Sequence, residues 1–246
     1  MSSSFPQQFW KALSGSWRDR TTDNGAWNAT SLLLNHLWTF LRESTPAQRR
    51  QRYGDMEYDW DNRVNTTSGV VSWQARLLGL FHSPYQPTEP ALFQEMMAAL
   101  PLDFREFTFI DVGSGKGRTL LMASEYPFQK IVGVELIEEL HRAAVENILE
   151  YRSPTQQCSK MEPVRADASD FVFPDTPLVL YLFNPLPEPG LRRLIRNLEQ
   201  SLEQTPRTIW IVYHNPAMDS ILTASPALVR AGGTDQYAMF SGLQRL

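Results

Sequence analysis

Residues Thr108–Glu135 read TFIDVGSGKGRTLLMASEYPFQKIVGVE. An apolar strand, Phe107–Val112, runs straight into the turn Gly113-Ser114-Gly115-Lys116-Gly117, and a helix, Arg118–Glu125, follows and stops before Pro127. A second strand, Lys130–Glu135, delivers an acid 22 positions after Gly113. Glycines let the backbone turn sharply and approach a ligand where any Cβ would collide. The helix start offers free N–H groups and the positive end of its dipole. In doubly wound folds an acid at the place of Glu135 accepts hydrogen bonds from ribose hydroxyls. Strand, turn, helix, strand and terminal acid in this order predict a nucleotide-type site on an α/β fold.

Three ligands compete for the turn. A phosphate loop of the form Gly-x-x-x-x-Gly-Lys-Ser/Thr would need glycine at Ile110 and Ser or Thr at Gly117, so it is excluded. The dinucleotide fingerprint Gly-x-Gly-x-x-Gly, counted from Gly113, reaches Arg118 at its sixth place. A nicotinamide oxidoreductase is therefore a weaker rival. What remains is an acid, Asp111, followed by Gly-x-Gly-x-Gly.

Outward from this stretch the pattern stays regular. Glu89–Leu100 reads as a helix, Glu138–Tyr151 as a long helix with Leu140, Ala144 and Ile148 on one face, and Met161–Ala166 as a third strand. Leu178–Phe183 and Thr208–Tyr213 are apolar runs suited to strands covered on both faces, with a helix, Gly190–Glu203, between them. Leu228–Leu243 leaves room for two short strands. Strands alternating with helices imply βαβ units and a mostly parallel sheet. The N-terminal part is different. Its clearest helix is Ser31–Arg42, Thr45-Pro46 marks the start of another over Ala47–Tyr53, and a carboxylate run follows at Asp55, Glu57, Asp59 and Asp61. Residues 1–83 are expected to form a helical extension or lid, and residues 84–246 the Rossmann-like domain.

An acid followed by Gly-x-Gly-x-Gly at the end of a first strand resembles the first motif of class I S-adenosylmethionine-dependent methyltransferases. The resemblance implies a doubly wound, seven-stranded, mostly parallel sheet with one antiparallel strand near Tyr237–Leu243. It also implies S-adenosyl-L-methionine as cofactor and S-adenosyl-L-homocysteine as product. Gly113, Ser114 and Gly115 would line the methionine part, Asp111 would face its ammonium group, and Glu135 would hold the ribose. The segment Val164-Arg165-Ala166-Asp167-Ala168 is similar to the family's third motif, where an acid and the next backbone amide meet the adenine. Asp167 equally suits an N-cap for the turn that follows. Leu136 and Ile137 suit either apolar contact to the adenine or core.

Further resemblances point to the methyl acceptor. Asn184-Pro185-Leu186-Pro187 partly matches the Asp/Asn-Pro-Pro-aromatic segment of amino-methylating members, departing from it at Leu186 and Pro187. Asn184 is the candidate to meet the acceptor, or it belongs to a plain strand-ending Asn-Pro turn. Tyr213-His214-Asn215-Pro216 ends the fifth strand similarly, so His214 is a candidate base or a cap on the sheet. Tyr85-Gln86-Pro87-Thr88 is similar to a Tyr-x-Pro-Thr/Ser segment of lysine methyltransferases that lack the SET fold. It makes Tyr85 and Thr88 candidate cofactor contacts. Tyr58–Thr67 resembles a lid segment of bacterial members, and its acidic and aromatic residues would suit a cationic acceptor such as a lysine or amine, or simply a solvated loop.

Composition sets the outer bounds. Of 246 residues 42% are apolar and 20% charged, which excludes a wholly disordered chain. A net charge of −4 argues against a nucleic-acid binder held by bulk charge. One cysteine, Cys158, excludes an internal disulfide framework, and four histidines without ligand spacing signal no metal. Met1–Trp10 lacks the basic and apolar regions of a signal peptide, and no stretch reaches membrane-spanning length. A cytoplasmic methyltransferase with an N or O acceptor is the leading expectation. A cofactor-binding regulatory or assembly subunit without activity is the alternative.

Overall fold

A computed structural model describes residues 56–67 and 86–242. The expected helices Ser31–Arg42 and Ala47–Tyr53, and Tyr85, lie outside the described residues. The chain forms helices α1 (Met56–Asn62) and α2 (Pro90–Ala98), strand β1 (Thr108–Val112), α3 (Arg118–Ala123), β2 (Lys130–Glu135), α4 (Glu138–Glu150), β3 (Met161–Arg165) and β4 (Leu178–Phe183). It continues with α5 (Glu188–Gln204), β5 (Ile209–His214), α6 (Asp219–Thr223), β6 (Leu228–Gly233) and β7 (Tyr237–Gly242).

The strands make one seven-stranded sheet in the order β3-β2-β1-β4-β5-β7-β6. Strands β1 to β5 are parallel, and β7 runs antiparallel between β5 and β6. This is the sheet that the resemblance implies. Strand order reverses between β1 and β4, and open α/β sheets bind ligands at such a switch point, outside the carboxyl ends of the strands.

Alternation along each strand builds two cores. Ile110, Val112, Leu178, Leu180 and Leu182 face one layer with α5, whose Leu191, Leu194, Ile195 and Leu198 recur at helical spacing. Phe109, Val179, Tyr181 and Val212 face the other layer with Phe93, Met96 and Met97 of α2 and Leu120 of α3. Each such side chain contributes roughly 1.5–3 kcal/mol on full burial. Both faces of β1 and β4 are therefore committed to core, and only their carboxyl ends are available for chemistry. Among the described residues, no helix is long and apolar enough to cross a membrane.

The block Tyr58–Thr67 is not a solvated loop. It starts as α1, and Val64, Thr66 and Thr67 are buried. Alternating charge hides this helix from a periodicity reading.

Candidate functional site

Turn β1–α3 carries the site. Gly113, Gly115 and Gly117 take φ of 79°, 55° and 83°, a left-handed region where a Cβ is strained. Gly113 has a second constraint, because a Cβ there would come within 2.6 Å of Pro185 Cβ. The turns after β1 and β4 thus pack directly on each other, and the Asn184-Pro185 turn sits against the glycine turn. Gly113 and Ser114 amides donate to the Val134 carbonyl at 2.8 and 3.1 Å, which fastens the turn to β2.

Two acids meet behind this turn. Glu135 is buried, its Oε2 accepting from Gly115 N at 2.9 Å and its Oε1 from Ile137 N at 2.7 Å. Burial raises its pKa against the pull of those backbone bonds. Asp111 is also buried, and its pKa is pushed up to about 8 by burial and then by the Glu135 charge, while a hydrogen bond from Thr119 opposes the shift. Close by, Ser114 Oγ is buried with no hydrogen-bond partner among the described residues. A buried polar group normally finds a partner. These three residues fit a ligand that brings a cation to Asp111 and hydrogen-bonding groups to Ser114 and Glu135.

Gly133, which no sequence pattern marks, makes room for this arrangement. It is the Cα partner of Asp111 on β2, and a Cβ there would stand 2.5 Å from Leu120 Cδ1 and 2.8 Å from Ser114 Oγ. Tyr181 was equally hidden in its apolar run. It is the Cα partner of Asp111 on β4, and its hydroxyl lies 2.7 Å from Thr88 Oγ1 and 2.8 Å from His214 Nδ1. Thr88 is buried and thereby tied to β4 beside Asp111. His214 also stacks on Phe183, with ring centroids 3.8 Å apart. Burial depresses its pKa to about 4, so it is neutral at physiological pH. Its Nδ1 is occupied by Tyr181.

Asn184 has φ of 42°, a conformation that Asn tolerates better than most residues. Its Nδ2 donates to the Asn215 carbonyl at 2.7 Å, and its Oδ1 accepts from the Tyr213 hydroxyl at 2.8 Å. The side chain clamps the ends of β4 and β5 together. Asp167 caps the short turn Ala168–Asp170, its Oδ1 accepting from Ser169 N at 3.0 Å and Ser169 Oγ at 2.7 Å, while Ala168 is buried. Leu136 and Ile137 are half-buried at the end of β2.

The expected acidic lid is revised at Asp59. Its carboxylate does not face solvent: Oδ2 accepts from Thr66 N at 2.8 Å and Thr67 N at 2.7 Å, and Oδ1 pairs with Arg118 Nη2 at 3.3 Å. Arg118 opens α3, is buried, and lies 4.9 Å over the Tyr58 ring. Opposite, Asn147 of α4 donates Nδ2 to the Lys116 carbonyl at 2.9 Å and the Asn65 carbonyl at 3.2 Å, and accepts from Asn65 N at 2.7 Å. The outer side of the glycine turn is therefore bonded to residues 59–67. Among the described residues, no group of His, Cys, Asp and Glu could hold a metal ion.

No protein-family model matches the chain, and no curated protein matches it. Solved structures similar to it include TrmN from Thermus thermophilus (19% identity, TM-score 0.46), covering 67% of this chain and 51% of that one. An RNA methyltransferase from Salinibacter ruber in complex with S-adenosyl-L-homocysteine aligns at 17% identity and TM-score 0.38, over 64% of this chain and 92% of that one. A ribosomal protein L11 methylase from Lactobacillus delbrueckii subsp. bulgaricus aligns at 16% identity and TM-score 0.40, over 64% and 77% respectively. The chain thus spans about half the length of the TrmN chain.

Proposed function

We propose that the chain is an S-adenosylmethionine-dependent methyltransferase that acts on a nitrogen or oxygen acceptor. The observation that carries this reading is the pair of buried acids, Asp111 and Glu135, converging on one glycine turn beside the unpartnered Ser114 hydroxyl. In this reading Asp111 holds the ammonium group, Gly113, Ser114 and Gly115 line the methionine part, and Glu135 accepts from the ribose. An ionised carboxylate has about four acceptor positions, so the backbone bonds from Gly115, Ile137 and Leu136 still leave Glu135 room for a hydroxyl. Leu136, Asp167 and Ala168 flank the adenine, and Thr88 closes the floor through Tyr181. Tyr85 remains an expectation of the sequence.

When bound, S-adenosylmethionine supplies a methyl group already activated on a sulfonium. The protein's own work is then alignment and removal of water, which needs no dedicated base. Asn184 and His214, at adjoining strand ends, are the residues we assign to the acceptor side. A neutral His214 held by Tyr181 can accept or donate one hydrogen bond there without placing a charge in the site. Asp61 and the exposed Trp60 are what remains of the acidic-aromatic feature that suits a lysine or small amine. The Asn184 amide, already bonded on both sides, favours a second reading: a cofactor-binding subunit without activity.

Calorimetry with S-adenosylhomocysteine, followed by transfer of labelled methyl groups into cell lysate sorted into protein, RNA and small molecules, tests all of this. Binding plus label in one fraction supports the enzyme and names the acceptor class, nucleic acid included. Tight binding without transfer supports the subunit. Binding of NAD in place of S-adenosylhomocysteine sinks both.

A further inference from the structure

The contacts between residues 58–67 and the glycine turn are of an unusual kind for a covering segment. They are buried, polar and directed at the backbone that forms the site. Thr66 is fully buried, and its hydroxyl accepts from Arg118 Nε at 2.6 Å while donating to Asp59. Arg118 follows Gly117 directly, so its position sets where the turn ends. One residue further back, the Lys116 carbonyl is held by Asn147, whose remaining donor and acceptor grip the Asn65 peptide. Two independent links thus run from one short segment to the two residues that flank Gly117. A Gly-rich turn with left-handed φ at three places has many alternative conformations, and ordering it costs conformational entropy. Whatever holds it before the ligand arrives lowers the cost of binding.

We propose that Asp59, Thr66 and Asn147 are positioning residues of the cofactor site, and that residues 58–67 act as a buckle that keeps the glycine turn in binding geometry. This rests on the methyltransferase reading for the identity of the ligand. The site is then built from two parts of the chain, and a boundary at residue 84 cuts through it. Docking of the buckle and binding of the cofactor are linked, so each strengthens the other by the same factor.

The test uses the full chain and S-adenosylhomocysteine. Thr66→Val keeps the side-chain volume but removes the hydroxyl between Asp59 and Arg118; Thr66→Ser restores it. Thr66→Val should weaken binding by on the order of tenfold at unchanged stoichiometry, the effect of losing a hydrogen bond to a charged group. Thr66→Ser should bind within about threefold of the parent, well under one tenfold step. In the parent protein, hydrogen exchange at the Thr66 and Thr67 amides, which both donate to Asp59, should slow when the ligand binds. This second measurement stands even if Thr66→Val does not fold. Parent-like affinity in Thr66→Val, or unchanged exchange at Thr66 and Thr67 beside protection of Gly113–Gly117, overturns the proposal. Failure of the parent chain itself to bind S-adenosylhomocysteine removes the cofactor reading and this proposal with it.

Discussion

Glu135 Oε2 accepts from the Gly115 amide at 2.9 Å, so the acid that closes β2 is tied to the middle glycine of the turn after β1. Glu135→Ala therefore removes a tether of the turn as well as the acceptor assigned to the ribose. Charge-assisted bonds of this kind are worth about 1.5–3 kcal/mol. S-adenosylhomocysteine affinity should fall by roughly ten- to 150-fold in calorimetry. Parent-like binding by this variant would remove the most specific residue of the cofactor assignment.

Asp111 makes ligand-free stability depend on pH. Burial pushes its pKa from the ordinary 3.8 up to about 8 in the folded chain. Between those values the native state keeps a proton that the unfolded state has lost, so stability falls as pH rises. Thermal melts of the ligand-free protein should show this slope, and Asp111→Asn should flatten it. An ammonium group beside Asp111 favours the ionised acid, so binding at pH 7 should release a proton, visible as a buffer-dependent heat. A heat independent of buffer would show that Asp111 does not meet the cation.

His214 behaves in the opposite sense. Burial lowers its folded pKa from the ordinary 6.5 to about 4. As pH falls from 6.5 the unfolded state takes up a proton before the native state does, and this part of the stability is lost by about 4. The ring resonances in NMR should titrate near that lower value. A midpoint near 6.5 would show that the ring is not held neutral between Tyr181 and Phe183.

Asn184→Ala should cost stability twice over. It removes the clamp on Tyr213 and Asn215, and it leaves a Cβ residue at φ 42° without the tolerance of Asn. Loss of the two bonds should cost about 1–3 kcal/mol, with a smaller increment from the backbone. Asn184→Gly relieves the backbone but not the clamp, so its melting temperature should fall between those of the parent and Asn184→Ala. Affinity for S-adenosylhomocysteine should stay within about threefold, because an acceptor-side contact shows mainly in the rate. Loss of cofactor binding would move Asn184 into the cofactor shell.

Gly133→Ala probes the packing beneath the turn. Its Cβ has nowhere to go except against Leu120 and the Ser114 hydroxyl. Overpacking of this sort costs typically 1–3 kcal/mol. Both the melting temperature and S-adenosylhomocysteine affinity should drop. A variant that melts lower but binds like the parent would show that Ser114 does not contact the ligand.

Much of this architecture is legible in the sequence. Lys130–Glu135 and Leu178–Phe183 fall where their apolar runs place them, because strands covered on both faces leave an uninterrupted signal. The glycine turn and its acid were legible for the same local reason. Helix α6, with five residues, is too short for any periodicity to register. The pairing of Asp59 with Arg118 joins residues 59 positions apart, and nothing local marks either as buried. Tyr181 shows a related limit. Within LVLYLF each residue looks like core, and only the register against β1 sets Tyr181 beside Asp111.

The place of β7 constrains the order in which the sheet closes. Strand β6 is joined to the sheet only through β7, although β7 follows it in the sequence. A chain ending at Gly233 would carry the five parallel strands with β5 lacking its β7 partner and β6 lacking the strand it pairs with. Unpaired edges of this kind template association with other chains. Synthesis of Tyr237–Gly242 closes the gap by inserting between the two. A chain truncated after Gly233 should therefore aggregate, whereas one carried through Gly242 should not.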